Sequence, residues 1–194
     1  MIQKESVSVD RKLSPTTPLN GFQTVIGRIT IKEVNSEIFC IAIPKTMENK
    51  INVEFKKILK LATPKVGQSS LDKGSMIRLI RNSLDQFFII FDNTSTKVDP
   101  VIKSLEKSFY ITEQSDAWVG IEISGMTAQS CLERICQLDL SAKSFSIGTA
   151  VRTLMEHLNV LIIKTSEEGF LLFSASSSAK SFLEAVETSA RNVE

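Results

Sequence analysis

Three kinds of residue in this sequence could do chemistry by themselves: cysteine, histidine, and serine beside glycine. The cysteines and a serine beside glycine meet most closely in ISGMTAQSCLERICQLDL, from Ile123 to Leu140. This stretch reads as a strand ending at Ser124-Gly125, then a helix from Thr127 carrying Cys131 and Cys136. A strand, a glycine turn and a helix with thiols can seat a nucleophile, a phosphate loop or a redox pair. Helical geometry argues against the pair, because positions five apart lie ~140° apart around the axis. Cys131 falls with Ala128, Leu132 and Ile135 on the apolar stripe, where a free thiol acts as a small hydrophobe. Cys136 points elsewhere, so the two cannot share a metal or a disulfide within a regular helix. Ser124 lacks the flanking glycines of a nucleophile elbow. The single histidine, His157, leaves a triad with one possible base and no motif around it. The glycines at 120, 125, 148 and 169 form neither a dinucleotide nor a P-loop fingerprint. Ser174 to Ser178 reads as a helix cap in preference to a phosphate nest.

The bulk composition narrows the classes further. The 194 residues suffice for one large domain or two small lobes with a real core. A net charge of +1 leaves no electrostatic footprint for nucleic acid or an anionic membrane. No apolar run approaches the ~20 residues of a spanning helix. Three cysteines, an odd number without framework spacing, predict a reduced, cytoplasmic protein. The N-terminus has no apolar core of a secretory signal, and residues 1 to about 20 read as a polar, flexible arm.

The elements that must position these residues come in a repeated order. Ile77-Arg78-Leu79-Ile80-Arg81 and Phe87 to Phe91 read as a hairpin, followed by the turn-rich Asp92 to Thr96. A helix follows, with Asp99 as its N-cap, Pro100 in its first turn and Val101, Ile102, Leu105 and Phe109 on its apolar face. At the C-terminal end, Val160 to Lys164 and Phe170 to Phe173 read as a second hairpin. Ser176-Ser177-Ser178 opens a helix with Ala179, Phe182, Leu183, Val186 and Ala190 on one face. Phe87 and Phe170 hold equivalent places, 83 residues apart. Each half also carries an earlier strand and helix. These are Ile38 to Ile43 with Val53 to Leu61, and Trp118 to Ile123 with the stretch above. Thr63 to Gly74 reads as a loop. The fold class expected is α+β, built from two pseudo-repeated βαββα-like lobes in one compact domain. The first lobe spans residues 21–112 and the second 113–194.

The second half resembles a known family. Gln114-Ser115-Asp116, Ser124-Gly125, Leu138-Asp139-Leu140, Phe145, Gly148, Arg152-Thr153 and the last helix resemble the γ subunit of heterotetrameric sarcosine oxidase. From Ile51 to Phe91 the likeness is weaker and includes the loop Pro64-Lys65-Val66-Gly67. That subunit is similar to the folate-binding aminomethyltransferase of the glycine cleavage system. The resemblance therefore implies an aminomethyltransferase-like folate-binding-domain fold. The transferase has an Asp pair before the strand matching Leu161 to Ile163, and Leu158-Asn159 stands there in this chain. It has an Asn after the strand matching Phe170 to Phe173, where this chain has Ala175. An apolar residue cannot relay a proton, so the resemblance implies a retained scaffold without the transferase site. Many γ subunits open the last helix with Arg-Ser-x-Ala, where this chain has Ser176-Ser177-Ser178-Ala179. A carboxylate contact made by that arginine cannot be made by Ser176.

The implied function is that of a non-catalytic γ subunit. Its complex demethylates sarcosine oxidatively to glycine, hydrogen peroxide and methylenetetrahydrofolate. By the same resemblance the partners are α, β and δ subunits. FAD, FMN, NAD, tetrahydrofolate and zinc sit on those other subunits, with no cofactor, metal or catalytic residue on this chain. Trp118, Arg152 and His157 are the expected partner contacts, since Trp and Arg are frequent interface anchors. For Trp118 the competing expectation is a wholly buried core position. For Arg152 it is a pair with Glu122 or Asp139. Two other readings stay open: a stand-alone folate-binding aminomethyltransferase-like protein, and a γ-like subunit of another N-methyl amino-acid dehydrogenase.

Overall fold

Two unbroken apolar runs set the architecture. A strand with one wet face alternates apolar and polar residues, whereas a strand covered on both faces does not need to. Phe87, Phe88, Ile89, Ile90 and Phe91 are all buried, and so are Val160, Leu161, Ile162 and Ile163. Each run must therefore sit between two apolar layers. The computed structural model, which describes residues 16–92, 95 and 97–194, shows these layers. Residues 1–15 of the expected arm lie outside the described residues.

Along the chain come β1 (Gln23–Ile26), β2 (Ile29–Val34), β3 (Ser36–Ala42), α1 (Ile51–Leu59), β4 (Ser69–Asp72), β5 (Ile77–Arg81), β6 (Gln86–Asp92) and α2 (Val98–Leu105). Then follow β7 (Tyr110–Glu113), β8 (Trp118–Ser124), α3 (Ala128–Glu133), β9 (Ala150–Met155), β10 (Leu158–Ser166), β11 (Gly169–Ala175) and α4 (Ala179–Arg191). The strands form two antiparallel sheets, ordered β4-β5-β6-β3-β7 and β1-β2-β8-β11-β10-β9. The protein is thus a mixed α+β fold.

Three apolar clusters hold the layers together. Phe87, Ile89 and Phe91 of β6 face α1 and α2, meeting Phe55, Leu59 and Leu105. Phe88 and Ile90 of the same strand face the other sheet, meeting Leu161, Ile163 and Phe173. Val160 and Ile162 of β10 face α3 and α4, meeting Leu132, Phe182 and Val186. The order is helices, sheet, sheet, helices. Each fully buried Phe or Ile contributes roughly 1.5–3 kcal/mol over its exposed state. In α1, Ile51, Phe55 and Leu59 are spaced by four and share the buried face. The helix ends at Lys60, whose φ of 58° is left-handed. Phe55 meets Phe87 edge to face at 5.0 Å.

Several local expectations need correction. The helix expected to carry both cysteines ends at Glu133, and Cys136 lies beyond it in a bridge to Met155. Its side chain is buried all the same, because the turn after α3 packs it beneath β9. The loop from Thr63 to Gly74 contains the edge strand β4. Helix α2 begins at Val98 after Lys97, so Asp99 lies in the first turn and does not cap through its side chain. Ser176–Ser178 forms a 3-10 turn without a side-chain cap. The Ser124-Gly125 corner has a steric purpose. Gly125 has φ +129°, and a Cβ there would lie 1.8 Å from the carbonyl oxygen of Arg28. Only glycine lets β2 approach β8 at that point.

Candidate functional site

Where the two sheets open at one end lies a cleft of about 860 Å³. One wall is the strand layer: Trp118 starts β8, Ala175 ends β11, Asn159 to Leu161 belong to β10, and Arg152 belongs to β9. Register places Trp118 opposite Ala175, and Leu161 opposite Arg152. The other wall is the connection from Glu113 to Ala117. A second cleft of about 650 Å³ shares Ser115, Asp116 and Trp118 with the first.

Hydrogen bonds to the main chain and to two serine hydroxyls fix that connection. The Ile38 N–H donates to Ser115 Oγ at 3.1 Å, and the Gln114 N–H donates to the Ile38 carbonyl at 2.8 Å. Ser176 Oγ donates to the Asp116 carbonyl at 2.7 Å, tying the turn to the start of α4. The Gln114-Ser115-Asp116 segment therefore joins β3, β8 and the last helix at one point. Trp118 Nε1 donates to Gln114 Oε1 at 3.4 Å, which fixes the indole against the turn.

The side chains in the cleft carry uneven hydrogen-bond loads. The Arg152 guanidinium lies 5.4 Å from the Trp118 ring centroid and 5.2 Å from that of Phe88. Phe88 and Trp118 meet edge to face at 5.6 Å. Cation–π contacts of this kind do not consume the N–H donors of the guanidinium. Among the described residues Arg152 makes no hydrogen bond and no ion pair, to Glu122, Asp139 or any other group. The Asn159 carboxamide and the Asp116 carboxylate likewise have no partner among the described residues.

Of the three expected contact residues, the structure brings Trp118 and Arg152 together in this cleft. Trp118 is half-buried, not wholly within the core. His157 is exposed in the tight turn between β9 and β10 and lies outside the cleft lining. Asn159 and Ala175, where the resemblance placed the transferase's polar residues, both line the cleft. In the sequence Asp116 and Gln114 stand out only as part of a motif. Their place in one cleft with Arg152 depends on the strand order β9-β10-β11-β8, which no local pattern encodes.

The thiols of the opening stretch take no part. Cys40, Cys131 and Cys136 are all free and buried. Burial pushes the Cys131 thiol up to about 11, and it raises Cys40 and Cys136 in the same direction. These thiols stay protonated at neutral pH and are poor nucleophiles. Cys131 Sγ donates to the Val186 carbonyl, and Ser189 Oγ donates to the Cys131 carbonyl at 2.6 Å. These two bonds pin α4 to α3. Among the described residues no group of three or more His, Cys, Asp or Glu could hold a metal, and no helix is long and apolar enough to cross a membrane.

No family model matches the sequence, and no curated protein matches it. Solved structures do share its fold. The chain is similar to heterotetrameric sarcosine oxidase from Corynebacterium sp. U-96, with TM-score 0.77 and 15% identity over 92% of this chain and 95% of that one. It is also similar to the glycine cleavage system aminomethyltransferase T from Bartonella henselae, with TM-score 0.60 and 15% identity. That likeness covers 84% of this chain but only 46% of the transferase, so the chain spans about half that enzyme's length. The two-sheet α+β architecture around the cleft is therefore one that this chain has in common with a sarcosine oxidase chain and with an aminomethyltransferase.

Proposed function

We propose that this chain is a non-catalytic γ-type subunit of a heterotetrameric sarcosine oxidase. The observation that carries the reading is the match in fold along nearly the full length of both chains. The motif residues Gln114-Ser115-Asp116 support it, because they form the junction of β3, β8 and α4. In such a complex the chain would assemble with α, β and δ subunits in the cytoplasm. FAD, FMN, NAD, tetrahydrofolate and zinc would be held by those partners. The positions matching the transferase's polar residues carry Leu158-Asn159 and Ala175, which supports a scaffold without transferase chemistry.

The reading includes an ancient duplication into two lobes. Strand order supports it: β4-β5-β6-β3 in one sheet parallels β9-β10-β11-β8 in the other. Register supports it as well. Arg81 faces Phe87 across β5 and β6 as Lys164 faces Phe170 across β10 and β11, with a cation over the ring in both pairs.

Co-expression with α, β and δ chains of such an oxidase, followed by size-exclusion chromatography, tests the subunit reading. Co-elution of all four with sarcosine-dependent peroxide formation is expected. Elution of this chain alone beside an active complex of the others overturns it. The fold likeness to aminomethyltransferase T favours a second reading, a stand-alone folate-binding protein. Tetrahydrofolate binding by the isolated chain would support that one. If the four chains assemble, activity with dimethylglycine or N-methylglutamate in place of sarcosine would point to another N-methyl amino-acid dehydrogenase.

A further inference from the structure

Arg152 is the most conspicuous unspent group in the molecule. Its guanidinium is held over Trp118 and Phe88, yet its donors meet no acceptor among the described residues. A guanidinium held against two rings loses less freedom when it takes up a ligand than a free one does, and its fork matches a carboxylate. Asn159, also without a side-chain partner, lines the same cleft and supplies a further donor. Trp118, Leu161 and Ala175 give the lining an apolar part.

The remaining charges decide what kind of anion fits. Asp116 and Glu113 also line the cleft. Two carboxylates in one cleft with a single guanidinium repel a phosphate or a polyanion. They favour a ligand that brings one carboxylate and one basic group. The volume of about 860 Å³ suits a small organic molecule.

We propose that this cleft binds an amphoteric organic carboxylate, amino-acid-like with an apolar body. Arg152 holds its carboxylate, and Asp116 holds its basic group. The apolar body lies along Trp118 and Leu161. This inference rests on the cleft alone and does not depend on the subunit reading.

Trp118 is the only tryptophan in the chain, so its fluorescence reports on the cleft directly. The test titrates the full chain with L-phenylalanine, 3-phenylpropionate and phenethylamine, which share a ring and differ in charge. L-Phenylalanine is expected to give a saturable change with a dissociation constant of about 1 mM. 3-Phenylpropionate binds more weakly, and phenethylamine does not bind. Arg152→Lys keeps the charge without the fork and weakens binding about tenfold. Arg152→Gln abolishes binding while the melting temperature stays near that of the parent, since Arg152 lies on the surface. Asp116→Asn removes the advantage of L-phenylalanine over 3-phenylpropionate. Three outcomes overturn the proposal. One is no saturable response to L-phenylalanine up to about 10 mM. Another is equal binding of phenethylamine. The third is binding that the Arg152→Lys variant leaves unchanged.

Discussion

Lys164 lies on β10 with 1% of its surface exposed. Alternation with Val160 and Ile162 turns it toward the layer of α3 and α4, with its ammonium 4.2 Å from the Phe170 ring centroid. No carboxylate lies within ion-pair distance among the described residues. Burial lowers its pKa from the ordinary 10.5, while Glu167 and Glu133 act in the opposite direction. The sign of the consequence follows from linkage. Below the lowered pKa both folded and unfolded chains carry the proton, and the cost of burying the charge is fully present. Between that value and 10.5 only the unfolded chain carries it, so stability rises with pH across this window. Lys164→Met keeps the chain length and a sulfur contact to Phe170 but removes the charge. The variant should be more stable at pH 7 by about 1 kcal/mol, the low end of what replacing buried charge gives. Its advantage should shrink as the pH approaches 10. Thermal melts of both proteins at pH 7 and pH 10 check this. A constant difference, or a loss of stability at pH 7, would show that the ammonium is well accommodated where it is.

At the scale of elements, one carboxylate fixes the entry to the first sheet-forming segment. Glu33 of β2 is buried and accepts hydrogen bonds from Thr17 Oγ1 at 2.7 Å, from the Leu19 N–H at 2.8 Å and from the Gly21 N–H at 2.6 Å. The turn from Thr17 to Gly21 is therefore tied to β2, although the sequence places it within a polar arm. Glu33→Ala removes the acceptor of the part-buried Thr17 hydroxyl and Leu19 N–H, leaves the Gly21 N–H only its bond to Thr17 Oγ1, and should cost roughly 1–3 kcal/mol. Glu33→Gln restores one acceptor and should lie between the two. Urea denaturation gives the ranking, and equal stability of all three would mean that water replaces the carboxylate. Thr17 to Gly21 is illegible in the sequence because its partner lies further along the chain and its own residues follow no apolar period. The same limit explains β4 and β1, short edge strands whose partly polar residues carry no strong alternation. The central strands β6 and β10 were legible because burial on both faces makes the sequence itself continuous and apolar. Helix α3 was read too long for the converse reason. Ile135 continues the apolar stripe, but it and Cys136 pack from a turn. At the cleft, residue type singled out Trp118 and Arg152. Nothing local could place Asp116 and Arg152 in one cleft.

For the whole molecule, chain order and sheet membership part company. Residues 23–34 precede the first sheet's strands, yet β2 pairs with β8 and extends the sheet of the second half. Ile29 and Ile31 are fully buried in the same cluster as Phe170, Phe182 and Val186. A fragment spanning residues 113–194 would therefore lose a wall of its own core and expose β8 as an unpaired, apolar edge. Such an edge is a template for association with other chains. It would lose more on its other face, because Leu161, Ile163 and Phe173 pack against Phe88 and Ile90 of the first half. Two uncovered apolar layers in a fragment of this size leave too little burial to offset the ordering of the backbone. The fragment alone should lack a cooperative melting transition and should bind a hydrophobic dye. A peptide of residues 16–36 added in trans should reduce dye binding by restoring β2, without restoring full stability. A fragment of residues 16–112 added in trans should restore a single transition, because it supplies both β2 and the facing sheet. Differential scanning calorimetry of the four samples distinguishes these cases. If the isolated fragment melts cooperatively within a few degrees of the full chain, the halves are independent domains, and the sheet-to-sheet layer is a docking contact with little part in the core.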